Sequence, residues 1–450
     1  MMGDRRFVLG ASAALLAAVS VHGAFAQTQR GSAASIRSSR DASLLAFENK
    51  AVCTVDPARE LFITDLSVVN DCFRTSWSNA CRRPVLPATQ GAWTFGGLMP
   101  GIFGTNNPTD LSNEVASWLK EWAIFQNING DPIQPRPNVQ NLVIGPWLAA
   151  SGGVELDMKL APFRLLAIVS RLDLRQPSSS PGGVTAGEGR FVFNLLDANG
   201  NTTEFLLIFE YGLDARECDD VKAWAKEWHS LGTIPFGPNF NAALQRITDR
   251  FTTINASPGK PNGSALNQSR TNDFFLARPW ELREFTLQGG PTASLKMSTV
   301  AQTPADSHQH SPLFASFVNA GPPFDVPLSW LSTPFRGGAS THSLDFDWDG
   351  PQPPPCATIG NPNFRHDVSL NTCNGCHGGE TGTRFKHVEP RPAGAPSVLS
   401  AFLTGSPVIN DICGVGHSFG DIKLRRFDLC KLLASSCDVI EAEPVNKFVH

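Results

Sequence analysis

The sequence predicts an α+β fold: a body built on a largely antiparallel sheet with flanking helices, followed by a small, mainly helical C-terminal module. Three observations carry this. Residues 163–172 (FRLLAIVSRL), 190–196 (RFVFNLL) and 204–211 (EFLLIFEY) are apolar, β-branched and aromatic runs of strand length, and the last two are joined by Asp197-Ala198-Asn199-Gly200-Asn201, a hairpin-type turn. Stretches with apolar residues at helical spacing lie on either side of these runs. The run 351–355 (PQPPP) then forms a boundary, because consecutive prolines are extended and semi-rigid.

Taken in order, the chain opens with a targeting signal. Arg5 and Arg6 precede the Ala-rich apolar stretch 7–20, and Ala24-Phe25-Ala26 offers a cleavage site before Gln27. Arg5-Arg6 also hints at a twin-arginine signal, but the preceding Asp4 favours the general secretory route. Removing 26 of 450 residues leaves 424, long enough for two or three domains. It also removes two Arg and one Asp, taking the net charge from −4 to −5. That balance offers no basic footprint for nucleic acid or anionic lipid. No later stretch is apolar for 18 residues, so no membrane span is expected in the mature chain. Residues 27–46, rich in Ser, Ala and Arg, read as a flexible leader, and 47–350 as the body.

Within the body, Asp110 is expected to cap a helix over 111–126, with Val115, Trp118, Leu119 and Trp122 on one face. Helices are expected over 219–231 and 241–253, and strands over 280–287 and 295–300. Short connections between the β-like runs favour antiparallel pairing over crossovers. The module, residues 356–450, should carry helices near 395–403 and 422–435.

The residues with the clearest chemistry are Cys373-Asn374-Gly375-Cys376-His377. Two thiols separated by two residues reach the two vinyl groups of one porphyrin, and the adjacent imidazole then lies beneath the iron. Ten Cys and ten His in 450 residues give about 0.005 chance occurrences of this spacing. Covalent haem c at Cys373, Cys376 and His377 is therefore the leading expectation. Three rivals stand beside it: a thioredoxin-like redox pair, a zinc site using Cys373, Cys376, His377 and His387, and a plain local disulfide. Gly378-Gly379 argue against a helix running on from Cys376.

The run CNGCHGG resembles the haem-attachment segment of c-type cytochromes. Stretches 163–173, 187–211 and 370–386 also resemble secreted, functionally uncharacterised proteins of myxobacterial type, from which no activity carries over. The cytochrome resemblance implies electron transfer, with a redox partner protein or a small-molecule donor or acceptor. Small cytochromes c usually supply a downstream Met as sixth ligand, whereas the Met residues here, at 1, 2, 99, 158 and 297, all precede the motif. Among imidazoles, His387 is the favoured sixth ligand to the iron and His417 the next, with His366 and His450 also in the module. An open sixth position would instead suit peroxidase-like chemistry.

Eight cysteines remain: Cys53, Cys72, Cys81 and Cys218, then Cys356, Cys413, Cys430 and Cys437. In a periplasmic or extracellular setting they predict up to four disulfides, two in each half. Asp345, Asp347 and Asp349 match the opening of a calcium loop, but prolines and Cys356 replace the rest of an EF-hand. A strand with those Asp turned outward is the plainer reading. Arg171, Asp173, Arg175, Glu188, Arg190, Glu210 and His229 lie on or beside the body's strands and could line a pocket. From a different class comes the alternative of a disulfide-stabilised secreted binding or structural protein whose CxxCH carries no haem.

Overall fold

The computed structural model describes residues 53–77, 91–180, 182–290, 292–322, 325–342 and 347–442. The signal peptide, the leader, Cys81, Asp345 and His450 lie outside the described residues.

An eight-stranded antiparallel sheet organises the chain, as the hairpin turn and short connections predict. Its strands are β1 (Phe62–Ile63), β2 (Phe163–Arg171), β3 (Thr185–Leu196), β4 (Thr202–Asp214), β5 (Leu266–Asp273), β6 (Trp280–Gln288), β7 (Ser294–Ser298) and β8 (Ala339–His342). The first six lie side by side in chain order, and β6 also pairs with both β7 and β8. The predicted hairpin joins β3 to β4, with Asp197 accepting from the backbone of Asn199 and Asn201. No sequence signal marked β5 (LNQSRTND), which is polar along nearly its whole length.

Alternation gives the sheet two different faces. Phe191, Phe193, Phe205, Leu207, Phe209 and Tyr211 point into the main core. There they meet α1 (Phe95–Phe103), α2 (Pro108–Lys120), α3 (Cys218–Ser230) and α4 (Pro238–Thr252), whose apolar stripes include Trp118, Trp224 and Phe251. The N-cap of α2 is Asn107, which accepts from Thr109 N, rather than Asp110. Pro108 occupies the first turn and fits there because it needs no donor, so the helix starts earlier than expected.

The opposite face is covered by the C-terminal segment. Val169, Val192 and Leu206 on the sheet pack against Leu370, Cys376, Val388, Phe402 and Leu403. A short helix, α5 (Pro312–Ala320), precedes the proline run, and the segment after that run carries α6 (Pro362–Leu370), α7 (Asp421–Ala434) and α8 (Cys437–Glu441). The helix expected near 395–403 is reduced to the single turn Ala401–Thr404. Disulfides fasten the segment down. Cys53 bonds Cys430 in α7, Cys218 at the start of α3 bonds Cys437 in α8, and Cys356 bonds Cys413. The expected confinement of bridges within each half is therefore overturned: two of these three join the early cysteines to the late ones. The reason is topological, since α7 and α8 return to the main core and bring Cys430 and Cys437 beside Cys53 and α3. Arg175 adds a buried ion pair to Asp428 of α7 at 2.5 Å. No helix among the described residues is long and apolar enough to cross a membrane.

Candidate functional site

A cavity of about 90 Å3 lies between the second face of the sheet and this C-terminal cover. One wall comes from alternate residues of neighbouring strands: Val169 and Arg171 on β2, Arg190 and Val192 on β3, Leu206, Ile208 and Glu210 on β4. The polar strand β5 continues it with Arg270 and Asn272. The facing wall holds Cys373, His377, His387, Val388, Phe402 and Arg425. Small-molecule sites usually enclose roughly 300–1,000 Å3, so a large ligand enters here only if the cover moves outward from the sheet.

Gly375–Gly379 form one wide helical turn, closed by Glu380 N donating to Gly375 O at 3.0 Å. The helical path thus runs one turn past Cys376 despite the two glycines, because a wide turn accommodates Gly378 against the His342 ring, where a Cβ would sit 2.3 Å from Nε2. Cys373 is seated with Trp280, Leu282 and Val300, whereas Cys376 is seated with the sheet residues Val169 and Val192. Neither cysteine is disulfide-bonded. Burial pushes the Cys373 thiol up to about 11 and the Cys376 thiol well above its ordinary value. A redox dithiol needs an accessible thiolate, so this setting disfavours the thioredoxin-like reading, and the pair does not form the plain local disulfide.

His377 donates its Nδ1 proton to the Phe385 carbonyl at 2.8 Å and stacks on Trp280. That hydrogen bond leaves Nε2 as the ring's electron pair donor, the tautomer a metal ligand requires. Burial lowers its pKa to about 4, so the ring is neutral at physiological pH. His387 lies beside it, with ring centres 4.4 Å apart, Nε2 3.3 Å from Cys376 Sγ and Nδ1 2.9 Å from Ser400 Oγ. The two rings are close to van der Waals contact, so for both to hold one iron His387 would have to stand further from His377.

The charged end of the cavity is dense. Arg190 pairs with Glu188 at 2.6 Å and Glu210 at 3.2 Å, and Arg270 pairs with Glu210 at 3.3 Å and Glu284 at 3.0 Å. Arg171 pairs with Asp173, and Arg425 with Asp421. Burial works against the charge on Arg270, but Glu210 and Glu284 outweigh it and hold the guanidinium protonated. Arg270 Nη2 and Arg425 Nε are buried without a hydrogen-bond partner among the described residues. Buried guanidinium donors in that state fit an anionic group entering the cavity.

Of the strand residues expected to line a pocket, Arg171, Arg190 and Glu210 do so, with Asp173 and Glu188 as their partners. Arg175 instead pins α7, and His229 bonds Glu60. Sequence reasoning missed Arg270, Asn272 and Arg425. The two on β5 carried a signal, an unusually polar run between strands, but no pattern to interpret it.

The rival zinc set Cys373, Cys376, His377 and His387 does not bring three donor atoms together. Among the described residues, only His366, Asp411 and His417 bring three such donor atoms within 4.8 Å of one another. His417, the second candidate for the sixth iron ligand, belongs to that group and does not line the cavity. Asp349 is buried, accepting from Gly350 N, Cys356 N and Gln352 Nε2, so the loop folds around its carboxylate instead of turning it outward. Asp347 is partly buried, and burial raises its pKa. No family model, curated protein or solved structure matches this chain.

Proposed function

We propose that this is an exported haem c protein acting in redox chemistry, as an electron carrier or as the electron-transfer module of an oxidoreductase. The observation that carries this reading is the lining of the cavity: Cys373 and His377 of CxxCH stand on one wall, apolar sheet residues on the other, and buried arginines at one end. Cys373 and Cys376 would hold the porphyrin by thioethers, and His377 would hold the iron through Nε2. Arg270 and Arg425 would receive its carboxylates. The macrocycle needs more room than the closed cavity offers, so His387 and Phe402 of the cover would stand further from the sheet in the loaded protein. When bound, the haem supplies reversible one-electron transfer. The protein's part is to bury it, exclude water and fix the His377 tautomer through the Phe385 carbonyl. Export agrees with the N-terminal signal and with the disulfides.

Protein made with the c-haem maturation machinery should stay red after denaturing electrophoresis and gain one haem mass. Cys376→Ala should abolish or greatly weaken the covalent stain. A wild-type protein carrying only its polypeptide mass would sink the proposal and leave the disulfide-stabilised binding protein. The ferric spectrum then separates two forms of the reading. A low-spin haem that His387→Ala turns high-spin marks a carrier. A wild-type haem already high-spin would instead mark the second form, a peroxidase-like protein with an open sixth position.

A further inference from the structure

The segments flanking the CxxCH turn build a second group of donors, outside the cavity. His366 on α6 precedes the turn, Glu380 follows it, and Asp411 and His417 come from the small hairpin that pairs Ile409–Asn410 with Gly416–His417. His366 Nδ1 bonds Glu380 Oε2 at 2.6 Å. Asp411 Oδ1 accepts from Cys413 N and Val415 N, both at 2.9 Å, which leaves Oδ2 facing His417 Nε2 at 3.2 Å. The two imidazoles lie parallel with centres 3.4 Å apart.

We propose that His366, Asp411 and His417 form a binding site for one divalent transition-metal ion of the zinc class, with a fourth position open to water. Three features point there beyond the donors' convergence within 4.8 Å. The Nδ1–H of His366 donated to a carboxylate fixes Nε2 as donor, the outer-shell arrangement of metal-binding histidines. A tetrahedral zinc with bonds of about 2.1 Å needs donors about 3.4 Å apart, and parallel rings whose centres are 3.4 Å apart hold their edges at a comparable separation. The rings would fan apart, and the ion would displace to solvent the proton that His417 Nε2 donates to Asp411 Oδ2.

The third feature is charge. Arg365 bonds Glu380 at 2.5 Å and Asp411 at 2.8 Å, so two carboxylates surround one guanidinium, which leaves one negative charge beyond what Arg365 balances. The side chains of Arg365, Glu380 and Asp411 are at most 1% exposed, where such a charge needs a counter-ion. His417, 17% exposed, gives the ion its way in from solvent. Two nitrogens and one oxygen suit zinc over calcium or magnesium, which prefer all-oxygen shells. The site stands independently of the haem reading.

The test uses the full-length exported protein, stripped with a chelator and titrated with zinc alone in a calorimeter. One equivalent should bind, and His417→Gln, at the most exposed ligand, should weaken it by about 10-fold or more. Glu380→Gln, which acts through His366, should weaken it by about 10–100-fold. His387→Ala should leave that equivalent unchanged. Cobalt in place of zinc should show visible bands without the near-ultraviolet thiolate band that Cys373 or Cys376 would produce. Absence of saturable zinc, zinc unaffected by His417→Gln in a folded variant, or a thiolate band lost with His417→Gln would each overturn the proposal.

Discussion

Removing the Cys53–Cys430 bridge by paired alanine substitution tests whether the C-terminal cover is tied to the beginning of the body. With Cys218–Cys437 intact, this bond closes a ring of 165 residues from Cys53 to Cys218 plus seven from Cys430 to Cys437. Chain entropy for a ring of about 170 residues sets a ceiling of roughly 5 kcal/mol on the stabilisation, and bridges usually deliver about 2–4 kcal/mol. At about 2.1 cal/mol/K per residue, unfolding a chain of this length carries roughly 0.8–0.9 kcal/mol/K. The loss should lower Tm by about 2–5 °C. Differential scanning calorimetry reads the shift, and a non-reducing peptide map reads the pairing. An unchanged Tm, or Cys53 found joined to any cysteine other than Cys430, would refute the reasoning.

Other expectations follow from single groups. Burial raises Asp306 to about 7, where it accepts from Thr341 and from Asn374 of the motif. Its folded pKa stands above its unfolded value of 3.8, so the stability it contributes is complete below that value and is lost as pH rises through about 7. Wild type should therefore lose stability relative to Asp306→Asn between about pH 4 and 8 in urea melts, and a flat difference would refute the assignment. Gly375→Ala should impair folding of the motif and reduce haem incorporation, because its Cβ would lie 2.0 Å from the Ser369 carbonyl. Haem-to-protein ratio and far-ultraviolet circular dichroism check this, and a fully loaded, folded variant would contradict it. Thiol titration of the unfolded, unreduced, haem-free protein should find Cys373 and Cys376 reactive, and eight further thiols would overturn the disulfide reading.

What could be read in advance divides along physical lines. Strands β2, β3, β4 and β6 were legible because each carries an apolar alternate set for the main core, such as Phe191 and Phe193, and the helices were legible from their stripes. Strand β5 was not, since Ser269 and Thr271 on one face and Arg270 and Asn272 on the other leave no apolar period. Its polarity is explained by its place beside the cavity and the buried ion pairs, where tertiary context overrides β propensity. The motif cysteines and His377 were legible because their chemistry is local. Arg425 and the pairing of Cys53 with Cys430 were not, because both depend on where α7 lands, hundreds of residues later.

The burial of Cys373 and Cys376, 2% and 0% exposed, also constrains the order of events in the protein's life. Any group joined to these sulfurs must arrive while the segment is still open, because α7 and its bond to Cys53 close over the same region. Helix α7 lies downstream of the motif and leaves the ribosome after it. Attachment of such a group would therefore have a narrow window between emergence of the motif and oxidation at Cys430, and a chain oxidised before it would close without the group.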